Sequence, residues 1–383
     1  MSSKVTTIEH CILFDIDSAS IGGAFVRYGK DTRGIVIETT ILFSLRKEIT
    51  NGTEYPFEKF FDQTLKTFKA VAEEVHLQSL TTIDNIYMNI SVPWMSAQKR
   101  IINYKKKKSF TLTQKLIDGL IQKEIEAPLN HNLDYAEHDV ELIRRRTIDI
   151  YANGYPVRNP IGKEMNDLSI HSLISVISTT TKQKFNEIIE EVFHREPKLI
   201  SNTFVNYQAV KTLLPNIDNA LVIDISGEVT AVLVIKKDHL LHIGSIPFGT
   251  HSIIRSLRDN LHISINKAES LIRLQIKGHL ESKYEQSIDT AMKEAFKVWF
   301  KPFYNLLDTY SQHGLLPHTI VLKANNDSIK WCQENILKED SLYEHMDTQG
   351  RIEMISLANV LPIDVSEEDL ELSILSQLIP QLK

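Results

Sequence analysis

Two stretches of this chain repeat one pattern 209 positions apart. Ile12-Leu13-Phe14-Asp15-Ile16-Asp17-Ser18 lies over Leu221-Val222-Ile223-Asp224-Ile225-Ser226-Gly227. Each is an apolar strand that ends in Asp, passes through a tight turn of small or polar residues and continues as a second strand. Alone, either Asp is a turn initiator. Matched flanks at both places make duplication the better explanation. The spacing far exceeds the period of about 20–50 residues that marks a solenoid, so the pattern points to two related lobes.

The intervening sequence supports an alternating α/β protein. Residues 11–17, 20–28 and 35–45 read as strands. Between 54 and 79, Phe57, Phe61, Leu65, Phe68, Val71 and Val75 recur every three or four positions, which predicts an amphipathic helix on a sheet. A strand at 84–92 stops at Pro93. Residues 96–168 read as a small inserted α+β domain with a helix over 113–126 and a strand over 139–151. A strand at 169–178 and a helix at 181–194 return the chain to the first lobe. Strands at 220–226, 228–236, 239–248 and 318–324 build the second lobe. Its helices fall at 249–260, 264–277, 285–311 (bent or broken near Pro302) and 326–337. A late strand at 351–357 precedes a short helix, with Ser366 and Asp369 as its capping box. The expected division is 1–95, first lobe; 96–168, insert; 169–195, first lobe continued; 196–345, second lobe; and 346–383, closing strand and helix.

The duplicated hairpins have a use in phosphate chemistry. Small turn residues let backbone N–H groups approach phosphate oxygens, and a strand-end carboxylate can hold a hydrated Mg²⁺. Two such hairpins facing each other would clamp a nucleotide's phosphates between lobes. Other classes lose ground. Lys+Arg 43 against Asp+Glu 49 gives −6, so no cationic field favours nucleic acid. No apolar run nears the roughly 18 residues of a membrane span. Cys11 and Cys332 cannot build a disulfide framework, which fits a cytoplasmic setting. The 14 histidines show no metal-site spacing, and His131 and His138 read as surface residues. No GxxxxGK[ST] loop or GxSxG elbow is present.

The two hairpins, taken with further segments in order, resemble the actin-like ATPase superfamily. The nearest types are the bacterial cell-division protein FtsA and the pilus-assembly protein PilM. Ile246-Pro247-Phe248-Gly249 resembles the segment after the second hairpin in that family. Ala268-Glu269-x-Leu271 resembles its nucleoside-pocket helix. Asn153-Gly154-Tyr155 through Asn159-Pro160-x-Gly162, then Leu168, is more similar to the FtsA insert than to PilM. Ile320-Val321-Leu322 stands where the adenosine-side strand leads into a turn. The resemblance implies a duplicated, ribonuclease H-like, two-lobed ATPase fold with a small insert, and ATP and Mg²⁺ as cofactors. Asp15 and Asp224 would hold the metal through water. Ser18, Gly227, Thr230 and Gly249 would cradle the phosphates, and Glu269 and Asn325 would face the nucleoside.

Several residues depart from the family pattern, and all bear on nucleotide. Asp17, Ser226 and Glu228 replace loop glycines, placing carboxylates beside the expected phosphates. Ala324-Asn325-Asn326 replaces a Gly-Gly turn, and Ile272 stands where a lysine is usual. No acidic residue appears in Ser201–Val210, and no catalytic base can be named. The expected activity is slow or absent ATP turnover.

The resemblance implies an FtsA-like cytoplasmic adaptor in cell division, at the inner face of the membrane and bound to a division filament. Self-association into a dimer or filament belongs to the same expectation. The alternatives are a PilM-like adaptor of type IV pilus assembly, which receives a membrane protein's tail, and a small-molecule kinase on the same fold. Lys105–Lys108 reads as a solvated hairpin or loop, with an acidic partner or anionic lipid as the alternative. The C-terminal helix gathers Leu370, Ile374, Leu375, Leu378 and Ile379 on one face. Its polar residues are acidic, so docking on the protein or on a partner is expected over peripheral membrane binding.

Overall fold

β1 (Thr7–Ile16) and β2 (Ser20–Lys30) form an antiparallel hairpin in which Ile16 pairs with Ile21 across the Asp17–Ala19 turn. In the computed structural model, residues 4–49, 56–126, 139–279, 282–312, 314–324, 326–347, 352–361 and 369–382 are described. β3 (Val36–Glu48) pairs with β2. The period-3.6 stripe forms α1 (Phe57–Gln78), which buries Phe68, Val71, Ala72 and Val75 on this sheet. β4 (Asn85–Ile90) then runs parallel to β1.

The next unit contains β5 (Met95–Thr111), α2 (Gln114–Glu126), β6 (Val140–Ala152), β7 (Tyr155–Pro156) and β8 (Glu164–Ser178). They make a separate four-stranded sheet in the order β5-β8-β6-β7, with α2 packed over Ile102, Met165, Leu168 and Ile170. Residues 169–178, expected to rejoin the first lobe, pair within this sheet, while Leu173 and Ile177 pack into cores that contain β1 and β2. β8 is one continuous strand paired on both sides, so it stays with its partners β5 and β6. Lys105–Lys108 are solvated as expected, but inside β5 rather than in a loop. The pairing with β8 skips from Lys105 to Phe110, which leaves the lysines on a bulged, exposed stretch. His131 and His138 lie outside the described residues.

α3 (Thr179–Phe193) packs beside α1, and β9 (Lys198–Ser201) completes the first sheet in the order β3-β2-β1-β4-β9. The stretch after it is α4 (Asn202–Leu213), buried at every position from Asn202 to Val210.

The second lobe repeats this plan. β10 (Ala220–Ile225), β11 (Thr230–Lys236) and β12 (His239–Ile246) form an antiparallel meander. α5 (Thr250–Leu261), α6 (Ile265–Ile276) and α7 (Ser282–Ser311) follow, and α7 runs as one helix through Pro302. β13 (Thr319–Ala324) lies parallel to β10, followed by α8 (Asn326–Leu337), α9 (Asp340–Tyr343) and β14 (Glu353–Ser356). The sheet order β12-β11-β10-β13-β14 is the first sheet's order over again. Phe296, Trp299, Phe300 and Phe303 of α7 fill its core.

The last helix, α10 (Leu370–Leu378), joins the lobes. Asp369 caps it by accepting from the Leu372 amide at 3.1 Å, while Ser366 lies outside the described residues. Leu370, Leu372, Ile374, Leu375 and Leu378 share one apolar core with α4, β1, β2, β10 and β11. The expected docking on protein is therefore docking on this chain itself. No helix among the described residues is long and apolar enough to cross a membrane.

Candidate functional site

A cleft of about 460 Å³ opens between the two lobes, lined by the ends of β1 and β10, both hairpin turns, α5, α6, α8 and the start of α10. Its position follows from the duplication. β1 and β10 are the central strands of equivalent sheets, so their C-terminal aspartates arrive at the same cleft.

The structure brings the hairpin residues together, largely by joining them to each other. Asp15 closes β1 and is 1 % exposed. Asp224 closes β10 and is 3 % exposed. The Ser18 hydroxyl of the first turn accepts from the Glu228 amide of the second at 2.9 Å. Gly227 lies against Ala19, where an added Cβ would sit 2.9 Å from the Ala19 backbone. Thr230, at the start of β11, donates to Phe248 O at 2.7 Å and accepts from Trp299 Nε1 at 2.9 Å. Gly249 precedes α5, and the first amides of that helix donate inward: Thr250 N to Ser226 O and His251 N to Gly227 O, each at 2.9 Å. Glu269 lines the outer cleft from α6, 3.7 Å from Arg273. Asn325 lies outside the described residues.

Each duplicated aspartate has its own internal cation. Lys323 of β13 stands beside Asp224 in register, with Nζ 2.9 Å from Oδ2. Asn202 and Asn206 of α4 donate to the same oxygen at 2.8 and 2.7 Å. On the first lobe, Arg46 of β3 reaches over β2 to Asp15, with Nη2 2.8 Å from Oδ2, and Asn89 donates to Oδ1 at 2.8 Å. Gly22 makes that crossing possible, since a Cβ there would lie 2.6 Å from Arg46 Nη2. The start of α10 completes both pairs. Asp369 engages Arg46 through Nε and Nη2, and Glu371 sits 2.9 Å from Lys323 Nζ.

The electrostatics follow from burial. Desolvation, then the neighbouring Asp15, pushes Asp17 up to about 6. Burial raises the Glu371 carboxyl while Lys323 pulls it back down. Burial alone would raise Glu228 as well, but hydrogen bonds from His251 and Arg255 outweigh it and bring the carboxyl down to about 2. Glu228 thus points away into its own ion pair, with Arg255 Nη2 at 2.6 Å.

A hydrated Mg²⁺ between Asp15 and Asp224 needs carboxylate oxygens free to accept from its waters. Here Asp224 Oδ2 already accepts from Lys323, Asn202 and Asn206, and Asp15 accepts from Arg46 on Oδ2 and from Asn89 on Oδ1. Among the described residues no group of three or more His, Cys, Asp or Glu converges as a metal site. The donor set as arranged does not fit the metal.

Sequence reasoning missed Arg46, Lys323, Asn89, Asn202, Asn206 and Glu371, and read Asp369 only as part of a helix cap. One signal was available: Lys323 is the lone charge in the apolar strand TIVLKA.

No protein-family model and no curated protein matches this sequence. Solved structures do. At these identities the likeness concerns the fold, which is of the actin-like type. The chain is similar over 97 % of its length, and 98 % of the other, to a PilM–PilN type IV pilus biogenesis complex, with 11 % identity and a TM-score of 0.65. More distant matches include a Bacteroides thetaiotaomicron protein of actin-like ATPase fold, at 10 % identity, 94 % of each chain and a TM-score of 0.42. The ethanolamine utilization protein EutJ from Carboxydothermus hydrogenoformans matches at 11 % identity, over 94 % of this chain and 89 % of that one, with a TM-score of 0.44.

Proposed function

We propose that this chain is a PilM-type adaptor of type IV pilus assembly, a scaffold that holds a pilus-assembly membrane protein at the inner face of the membrane and turns over little or no nucleotide. The observation that carries this reading is the end-to-end likeness to the PilM–PilN complex, which spans both lobes and the insert. The cleft supports the scaffold part. Its aspartates are neutralised internally, and the connecting helix α4 presents Asn202 and Asn206 to them, where a kinase would need a base for its substrate. That weighs against the small-molecule kinase.

The division-adaptor reading rests on the insert motif Asn153–Gly162, whose resemblance is to FtsA. Crosslinking in the native cell followed by purification separates the two. Co-purification with a pilus-assembly membrane protein, and a fluorescent fusion away from mid-cell, is the expected result. A mid-cell ring together with a division filament in the purified complex would return the protein to the division class.

A further inference from the structure

We propose that the inter-lobe cleft works without a divalent metal: Lys323 and Arg46 supply its positive charge, and the groups they hold are the carboxylates of α10 in place of phosphates. This stands on side-chain geometry inside the chain and does not depend on which adaptor the protein is.

The two cations are built in rather than passing through. Lys323 is 3 % exposed, and its three ammonium hydrogens face Asp224 at 2.9 Å, Glu371 at 2.9 Å and Asn206 Oδ1 at 2.9 Å. Burial by itself would strip that proton, but the surrounding carboxylates more than reverse the effect and keep the lysine charged. Arg46 is held by Asp15, Asp369 and the Ser20 hydroxyl, the last at 2.8 Å. A divalent ion brought to the aspartates would meet two positive charges already in hydrogen-bond contact with them.

The counter-charges arrive from one place. Asp369 and Glu371 are two residues apart at the start of α10, and they reach the first-lobe cation and the second-lobe cation respectively. One helical turn therefore bridges Asp15–Arg46 to Asp224–Lys323. A nucleotide's phosphates and metal would make the same bridge in an ATPase cleft, but here the linking anions are covalently part of the chain.

Phosphate also finds few donors. A phosphate at a helix N-terminus uses free backbone amides. The Thr250 and His251 amides instead donate to Ser226 and Gly227 carbonyls, and the Glu228 amide donates to Ser18. Around this inner end stand the carboxyls of Asp15, Asp17, Asp224, Asp369 and Glu371 against the cations of Arg46 and Lys323. The balance is acidic, so an incoming phosphate is repelled.

The test uses the purified full-length protein and three probes: Mn²⁺ alone, Mg-ATP and inorganic pyrophosphate. Mn²⁺ is followed by loss of its free-ion paramagnetic resonance signal, and the others by calorimetry and shift in Tm. The wild type is expected to bind none of them more tightly than about 1 mM. The double variant Lys323→Met/Glu371→Gln removes one cation with its counter-ion and leaves Asp224 with amide partners. It is expected to gain Mn²⁺ affinity by at least about tenfold and to rise in Tm when Mn²⁺ is added. Should that variant fail to fold, Arg46→Gln/Asp369→Asn makes the equivalent change at the more exposed first-lobe pair. Micromolar binding of Mn²⁺ or Mg-ATP by the wild type overturns the proposal, and so does the absence of any Mn²⁺ gain in a folded variant. Because no partner protein enters the assay, its failure leaves the adaptor reading untouched, and the reverse holds too.

Discussion

Asp224 and Lys323 face each other in register on the parallel strands β10 and β13, 2.9 Å apart. Their counterparts in the duplicated lobe are Asp15 and Asn89, equally in register on β1 and β4 and 2.8 Å apart. One lobe thus carries its cation on the neighbouring strand. The other carries an amide there and draws Arg46 from β3 across the gap left by Gly22. The same electrostatic problem has two solutions in one chain.

The buried pair sets a first expectation. Removing one partner of a buried ion pair strands the other charge, at a cost of about 3–5 kcal/mol. Lys323→Met should lower the urea-unfolding free energy by that amount, because Asp224 and Glu371 both lose their counter-ion. Lys69→Met breaks an ion pair with Glu191 of similar length, 2.6 Å, but on the surface, and should change stability little. Equal effects from the two substitutions would contradict the geometry.

Asp17 gives a pH signature. Its folded carboxyl titrates at about 6, above the ordinary 3.8. Between those values the folded state holds a proton that the unfolded state releases. The associated stability is complete below about pH 4 and is lost as pH climbs through 6. Asp17→Asn should remove this fall and make the protein about 3 kcal/mol more stable at neutral pH. The measurement is the difference between the two stability curves from pH 4 to 8. A difference that stays flat would show Asp17 titrating normally.

Glycine separates contact from propensity. Gly227→Ala places a methyl against Ala19 of the opposite lobe, 2.7 Å from its Cβ and 2.9 Å from its backbone. Backbone cannot yield as a side-chain tip can, so a loss of about 1–3 kcal/mol is expected. Gly119→Ala, exposed in α2 with nothing within 4 Å, should instead stabilise by about 0.5–1 kcal/mol. Chemical denaturation of both variants checks the opposite signs.

The last helix is a structural member of the core. Leu375 is 1 % exposed, and Leu375→Ala should cost about 2–5 kcal/mol. Ending the chain at residue 368 should expose the apolar face shared with α4 and yield aggregated protein. Full-length protein should stay in the supernatant with anionic vesicles, since the residues that would insert are buried between the lobes. Sedimentation with those vesicles would mean that α10 leaves its seat.

The sequence by itself determined the duplication, because a buried strand ending in Asp before a tight turn leaves the same mark wherever it occurs. It also determined most elements that bury one face, such as α1, whose six apolar positions are local and periodic. It could not say which sheet residues 169–178 pair in, because an apolar strand looks the same in whichever sheet it pairs. It read Lys105–Lys108 as a solvated hairpin or loop, although β5 continues through them, paired with β8 on either side. Tertiary structure alone decided the chemistry of the cleft. Arg46 and Asp369 are far apart in sequence, as are Asp15 and Arg46, and no local pattern ties them together. Charge pairing depends on distance in space, and only the packing of α10 between the lobes brings those distances within hydrogen-bond range. The motif that resembles a phosphate clamp was legible from the residues; that its aspartates are already answered by lysine and arginine was not.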